Sequence, residues 1–238
     1  MQKKLLISPF IVLFLFITHI SASAQVEVGA RAGLNLSKVN YQYSDGGKVN
    51  GTTLTPGFHV GLTFDIPIAQ DFYLQPGALF TTKGSKLNTI EALDHFWGDE
   101  NSMSGDNTVL TPYYLEVPVN FIYKPYMGNG RFLIGAGPYF AYGLGGAYRD
   151  DLGGDITKGK LEFINDWNDE SDGRDIAPYG KKADAGLNML VGYEFTPRLS
   201  VQLNGQAGLV NIEPNVSGRK PDASMRNLGL GISVGYKF

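Results

Sequence analysis

The sequence predicts an all-β protein: an eight-stranded, antiparallel, up-and-down transmembrane β-barrel with short periplasmic turns and long extracellular loops. Three observations predict it. Residues 1–24 read as a secretory leader. Period-two segments recur, separated alternately by short and long connections. The chain ends on a strand pattern that stops at an aromatic residue, Phe238. Strict alternation gives a strand two unlike faces. In a membrane the apolar face meets lipid, and ring closure leaves no open edge.

Lys3 and Lys4 supply a short positive region, Leu5 to Ile17 is apolar except for Ser8 and Pro9, and Ala22-Ser23-Ala24 is a small-x-small cleavage pattern. This predicts a signal peptide over 1–24 and a single barrel domain over 25–238. The apolar core is short for a spanning helix, which needs about 20 residues. Loss of Lys3 and Lys4 leaves 18 basic against 23 acidic residues in the mature chain, a net charge of −5, which argues against nucleic acid as a partner. The chain has no Cys, which excludes disulfides, Cys-based zinc sites and thiol nucleophiles.

The eight alternating segments are about 26–37, 55–66, 72–83, 112–124, 131–143, 183–195, 198–211 and 227–238. The connections at Pro67–Asp71, Pro125–Gly130 and Thr196–Pro197 are short and rich in turn residues. Those at 38–54, 84–111, 144–182 and 212–226 are long. An even count with this asymmetry predicts short turns in the periplasm, long loops outside and both mature termini periplasmic.

Alternation assigns the faces. The second segment turns Phe58, Val60, Leu62, Phe64 and Ile66 to lipid. The fourth turns out Tyr113, Leu115, Val117, Val119, Phe121 and Tyr123. The sixth turns out Ala185, Leu187, Met189, Val191, Tyr193 and Phe195, and the seventh Leu199, Val201 and Leu203. In the last, Leu228, Leu230, Ile232, Val234, Tyr236 and Phe238 alternate with small or polar residues. The periplasmic strand ends carry Phe64, Phe121, Tyr123, Tyr193, Phe195, Tyr236 and Phe238, with Phe72 and Phe132 beside them. That is an aromatic girdle at a lipid–water boundary. Pro76, Pro118 and Pro138 fall inside strands, where each removes a ladder donor; bulges there would accommodate them.

The opposite parity collects the polar residues. Glu27, Arg31, His59, Asp65, Lys83, Glu116, Asn120, Lys124, Asp184, Asn188, Glu194, Arg198 and Lys237 are expected in the lumen, with Arg31 and Glu116 near its middle. Either they line a narrow pore or they form a plug of ion pairs and hydrogen bonds. Eight strands enclose a space that side chains fill, which favours the plug. Tyr236 and Phe238 are expected to form the signal read by assembly machinery.

Gly29-Ala-Arg-Ala-Gly-Leu-Asn-Leu-Ser37, Gly57-Phe-His-Val-Gly-Leu-Thr-Phe-Asp-Ile-Pro67, Leu74-Gln-Pro-Gly-Ala-Leu-Phe80, Tyr114-Leu-Glu-Val-Pro-Val119 and Gly135-Ala-Gly-Pro-Tyr139 resemble the PorT-like outer-membrane β-barrel family, often labelled porin family proteins. The resemblance covers nearly the whole mature chain. It implies an eight-stranded barrel in the outer membrane of a Gram-negative bacterium, and it carries no catalytic residues.

Signals for chemistry are sparse. His59 lies in a strand and His95 in a loop, with no Gly-x-Ser-x-Gly or His-Glu-x-x-His pattern. Asn168-Asp-Glu-Ser-Asp-Gly173 resembles a calcium loop in part, but Tyr179 stands where its last glutamate belongs. Acidic loop 144–182 reads as solvated, with Leu161, Phe163, Ile164 and Trp167 giving local order in a hairpin above the membrane. Ile90, Leu93, Phe96 and Trp97 have helical spacing in loop 84–111. Glycines such as those of Gly143-Leu-Gly-Gly146 read as relief of crowding, not as a phosphate cradle.

The expected function is a non-enzymatic outer-membrane barrel with a filled lumen, holding a structural or surface-interaction role through its loops. The alternative is a small-solute channel or an accessory to transport or secretion. No cofactor is implied. Expected partners are outer-membrane lipid, the barrel-assembly machinery and an unidentified extracellular ligand, and the barrel is expected to be a monomer.

Overall fold

The computed structural model describes residues 25–42, 52–88, 107–152, 155–168, 176–195 and 198–238. The leader, His95, Thr196–Pro197, most of the proposed calcium loop and the segment from Ile90 to Trp97 lie outside them. The strands are β1 (Glu27–Gln42), β2 (Thr52–Ala69), β3 (Phe72–Thr82), β4 (Gly84–Asn88), β5 (Asn107–Tyr123) and β6 (Tyr126–Met127). They continue as β7 (Gly130–Leu152), β8 (Asp155–Phe163), β9 (Ile176–Tyr179), β10 (Ala183–Glu194), β11 (Leu199–Gly208) and β12 (Ser224–Lys237).

Eight of these close a ring. β1 pairs with β2, β2 with β3, β3 with β5, β5 with β7, β7 with β10, β10 with β11, and β11 with β12, all antiparallel. β12 returns to β1 through Cα partners running from Gly29↔Lys237 to Gln42↔Ser224. No edge is left open, as a lipid-embedded sheet requires. β4 extends the path of β3 between β2 and β5. β6 belongs to the periplasmic turn before β7.

The outer face is apolar: Leu34, Phe58, Leu62, Leu115, Phe121, Ile134, Leu187, Met189, Leu203, Leu230 and Ile232 are all exposed. Aromatic rings mark both boundaries. At the periplasmic end Phe72 stacks on Tyr123 at 4.8 Å, and Tyr193 meets Phe195 edge-on at 5.0 Å. At the other end Phe58, Phe80 and Tyr113 form a chain with centroids 5.9 Å apart at each step, near exposed Tyr142. This second girdle was not read from the sequence.

The prolines do not bulge the strands. Pro76↔Val119 and Leu79↔Glu116 share one register across Gly77 and Ala78, and Pro118↔Tyr139 and Phe121↔Ala136 share another. The register shifts fall elsewhere, at Pro67/Ala69 and at Tyr113/Tyr114. The second inserts Leu144 into β7 between Gly143 and Gly145, whose φ is 140°. Glycine takes such a backbone without penalty.

Beyond that bulge β7 forms a hairpin with β8, and β8 runs parallel to β9. This is the ordered hairpin the sequence placed here, extending upward, and its inner side also covers the mouth. Leu161 and Phe163 are buried with Tyr114, Tyr139, Ala141 and Tyr179.

Candidate functional site

Parity sends one side chain in two from each ring strand into the lumen. The resulting network has three levels. Just beneath the aromatic mouth, where Phe163 meets Tyr114 at 5.2 Å and Tyr179 at 5.4 Å, Lys83 is held among anions and rings. Its Nζ is 3.1 Å from Glu116 Oε2 and 3.2 Å from Asp184 Oδ2, and 4.4 Å from the Tyr139 ring centroid. Asp184 Oδ2 also accepts from Asn227 Nδ2 at 2.9 Å and from the Tyr139 hydroxyl at 3.1 Å. Glu116 Oε1 accepts from Gln206 Nε2 at 2.9 Å, and Gln206 donates on to Asn188 Oδ1 at 3.0 Å.

The middle level centres on Ser233. Its hydroxyl oxygen accepts from Arg31 Nε at 3.2 Å and from Asn204 Nδ2 at 2.6 Å. Arg31 also donates to Asn204 Oδ1. A hydroxyl has two acceptor positions and one proton. Both acceptors are taken, so the Ser233 proton points to His59 Nε2, 3.0 Å away. His59 is therefore neutral, with its ring proton on Nδ1. Gly33 makes this possible: a Cβ there would lie 2.6 Å from His59 Cε1.

The lowest level sits at the periplasmic end. Lys124 pairs with Asp65, which also accepts from Gln75 Nε2 at 2.6 Å. Lys237 Nζ touches three carboxylates: Glu27 and Glu194 at 2.8 Å and Asp65 at 3.1 Å. The Tyr73 ring lies 4.7 Å from Lys124 Nζ. Buried ions held this way avoid the cost that a lone charge would carry.

These contacts locate most of the sequence-derived lumen set. His59, Asp65, Glu116, Asn120, Lys124, Asp184 and Glu194 are buried, Asn188 and Lys237 are half-buried, and Glu27 stands in the periplasmic mouth. Arg31 and Glu116 are both inside but do not pair. Glu116 is neutralised by Lys83, while no carboxylate among the described residues lies within 4.0 Å of Arg31. Arg198 is a correction. It is exposed, reaching only the Tyr236 hydroxyl at 3.4 Å. β11 starts at Leu199, so Arg198 belongs to the turn, where strand parity no longer aims a side chain.

Sequence reasoning missed two things. Ser233 fell in the polar half of the last segment but carried no charge, so nothing marked it as a hub. Ile122 on β5 and Leu133 on β7 also face inward, joining Leu190 of β10 in an apolar cluster. Among the described residues the enclosed space mid-lumen is small, a cavity of about 70 Å³ bounded by Arg31, His59, Glu116 and Asn204 and one of about 20 Å³ between Arg31 and Lys124, while a larger hollow of about 250 Å³ lies at the periplasmic mouth among Glu27, Tyr73, Arg131, Glu194 and Lys237. Arg31 is the partition between the two mid-lumen cavities.

Outside the barrel, the segment after β8 is fastened to the loop after β11. Trp167 N donates to Asn215 O at 2.9 Å, and Asn215 N to Asn165 O at 2.8 Å. Trp167 Nε1 donates to Glu213 Oε1 at 3.1 Å. Burial pushes the Glu213 carboxyl up, opposed by the Trp167 N–H and the Lys181 charge. Amides of Asn168, Gly218 and Ser217 hold the exposed Asp166 carboxyl below its usual range. No cluster of metal-binding side chains is present among the described residues.

Residues 21–213 match the outer membrane protein beta-barrel domain family. The chain belongs to that family. This outer-membrane barrel is also similar to solved structures at low identity. Ail, the attachment invasion locus protein of Yersinia pestis, solved with the heparin analogue sucrose octasulfate, is 12% identical with a TM-score of 0.38, over 90% of this chain and 99% of that one. Neisserial surface protein A is 14% identical with a TM-score of 0.40, over 90% and 99%. OprG from Pseudomonas aeruginosa is 14% identical with a TM-score of 0.39, over 90% and 97%. No curated protein matches the sequence. Family membership places the barrel in the outer membrane.

Proposed function

We propose that this outer-membrane barrel is a non-enzymatic anchor of the PorT-like kind, whose filled lumen holds a structured extracellular surface for interaction with an external ligand. The observation that carries this reading is the cross-lumen lattice. Arg31, Ser233, Asn204 and His59 join β1, β12, β11 and β2 through the barrel interior. Lys83, Glu116, Asp184 and Gln206 tie β5, β10 and β11 above it. Such a lattice rigidifies a wall, and its removal would leave unpaired charges in a narrow space.

The Ser233–His59 contact does not read as a nucleophile and base. Ser233 is 1% exposed, and both lone pairs that would attack a substrate are held by donors. Planar-bilayer recording tests the anchor reading. The purified barrel should give no stable conductance, and Glu116→Ala should lower unfolding resistance. Reproducible single-channel currents whose ion selectivity changes in Glu116→Ala would replace the anchor with the small-solute channel.

A further inference from the structure

The outer surface of the β7–β8 hairpin carries a basic ledge immediately above the extracellular aromatic girdle. Register fixes its height. On the outward side of β5 and β7, successive pairs climb from Leu115↔Tyr142 through Tyr113↔Gly145 and Thr111↔Ala147 to Val109↔Arg149. β8 adds Lys160 opposite Ala147 and Lys158 directly opposite Arg149. All three basic side chains are exposed. With about 3.4 Å per residue and a tilt near 45°, Lys160 stands about 5 Å above the Tyr113 level and the Arg149–Lys158 pair about 10 Å above it. That is the headgroup zone of a bilayer.

The pairing is unfavourable by itself. Like charges directly opposite across two strands destabilise a sheet. Asp151 and Glu162 share this outer face, one step beyond the pair and one step below Lys160. Neither lies within ion-pair distance of Arg149, Lys158 or Lys160, which make no salt bridge among the described residues. By contrast, the equivalent inward face of the hairpin is settled: Asp150 accepts from Thr108, and Leu161 is buried.

We propose that Arg149, Lys158 and Lys160 bind the phosphate-bearing headgroup of a glycolipid in the outer leaflet. Two features select this occupant. The ledge is continuous with the lipid-facing surface, since exposed Phe140, Tyr142 and Leu144 lie on the same strand below it. Its charge complements a phosphorylated headgroup, and that headgroup supplies a counter-charge that no described residue gives the cross-strand pair. A basic residue beside an anionic membrane surface contributes about 1 kcal/mol, or roughly a fivefold preference.

The test uses the full barrel in phosphatidylcholine nanodiscs doped with diphosphoryl lipid A or its dephosphorylated analogue, with retained lipid counted by native mass spectrometry. The barrel should retain the diphosphoryl form at least about fivefold better. Arg149→Ala with Lys158→Ala and Lys160→Ala should abolish the preference, while Arg219→Ala with Lys220→Ala, on an exposed loop elsewhere, should leave it intact. Lys158→Ala alone serves if the triple variant fails to fold. It should raise resistance to unfolding in pure phosphatidylcholine, where the like pair is relieved, and lower it in lipid A discs. Equal retention of the two lipids, a triple variant that discriminates like the parent, or no reversal in Lys158→Ala would overturn the proposal. So would equally tight binding of free pyrophosphate by the barrel in zwitterionic detergent, which would mark a soluble-phosphate site.

Discussion

Replacing Lys83 by Met removes, from a buried box that holds two carboxylates, the one cation among the described residues within 4.0 Å of them. Lys83 is 4% exposed, and Glu116 and Asp184 lie 3.1 and 3.2 Å from its ammonium. Met keeps the length of the stem, so the change isolates the charge. Asp184 would still have Asn227 and the Tyr139 hydroxyl, and Glu116 would still have Gln206. Those neutral donors solvate a carboxylate but do not balance two. Stranding a buried charge by removing its partner costs about 3–5 kcal/mol. Loss of the ammonium over the Tyr139 ring accounts for about 1 kcal/mol of that. Adding Glu116→Gln returns the box to the net charge it has in the wild type, and should recover about 1–3 kcal/mol, the usual size of coupling between touching residues. Urea unfolding of the barrel in lipid vesicles, followed by the heat-modifiable gel shift, measures both steps. A Lys83→Met barrel within about 1 kcal/mol of wild type, or a double variant no better than the single, would refute the reasoning, since either result means the three groups do not act as one coupled unit.

Arg at Met189 should cost about 2–4 kcal/mol in the same assay, because Met189 is 68% exposed on the lipid face, whereas Arg at half-buried Asn188 should be tolerated better; equal costs would contradict the register. Gly143→Ala should loosen the mouth, since its Cβ would meet the Phe163 ring at 2.5 Å, and Phe163→Ala should rescue it; limited proteolysis of the extracellular segments reads both. The contribution of Glu213 to folding should fade as pH rises. The folded Glu213 carboxyl is held above its ordinary 4.5, so the folded state binds the proton more tightly and its advantage fades as pH climbs from that value through the raised one. Trp167 fluorescence in a Trp97→Phe background should show this, and Glu213→Gln should flatten it. Deleting Phe238, whose amide donates to Val28 O at 3.0 Å and whose ring packs on Tyr236 at 5.9 Å, should reduce insertion into membranes; unchanged yields of heat-modifiable protein would count against its role in assembly.

The ring was legible because lipid enforces alternation on its outer face. Each proposed segment contains the core of a ring strand, and Phe58, Leu115, Leu187 and Leu203 face outward as their parity required. Several strand ends on the extracellular side were not legible, although β10 starts at Ala183 as expected. β1 runs to Gln42 instead of residue 37, β5 starts at Asn107 instead of 112, and β7 runs to Leu152 instead of 143. Above the girdle the outward positions are Lys38, Thr111 and Arg149. The ladder of backbone hydrogen bonds continues there, but water no longer demands apolar side chains, and the pattern vanishes from the sequence while the strand persists. The lumen was half legible. Parity found the inward residues, but pairing by charge alone did not find their partners. Arg31 is satisfied by neutral Ser233 and Asn204, and Lys83 binds two carboxylates at once.

The bulge at Leu144 connects these observations. Below it, even-numbered residues of β7 face lipid, as Phe140 and Tyr142 do. The inserted residue moves the outward parity to Ala147 and Arg149 and turns Tyr148 toward the buried mouth cluster. One added residue therefore has two consequences. It aims the inner side of the hairpin, through Leu161 and Phe163, down into the barrel. It also aims Arg149 outward, opposite Lys158 and beside Lys160. Deleting Leu144 would restore the lower parity through the hairpin. Arg149 would then turn inward toward Leu110 and Leu161, where a lone guanidinium carries a heavy desolvation cost. The closed mouth and the exposed basic face thus depend on the same backbone irregularity, and a variant that loses one should lose the other.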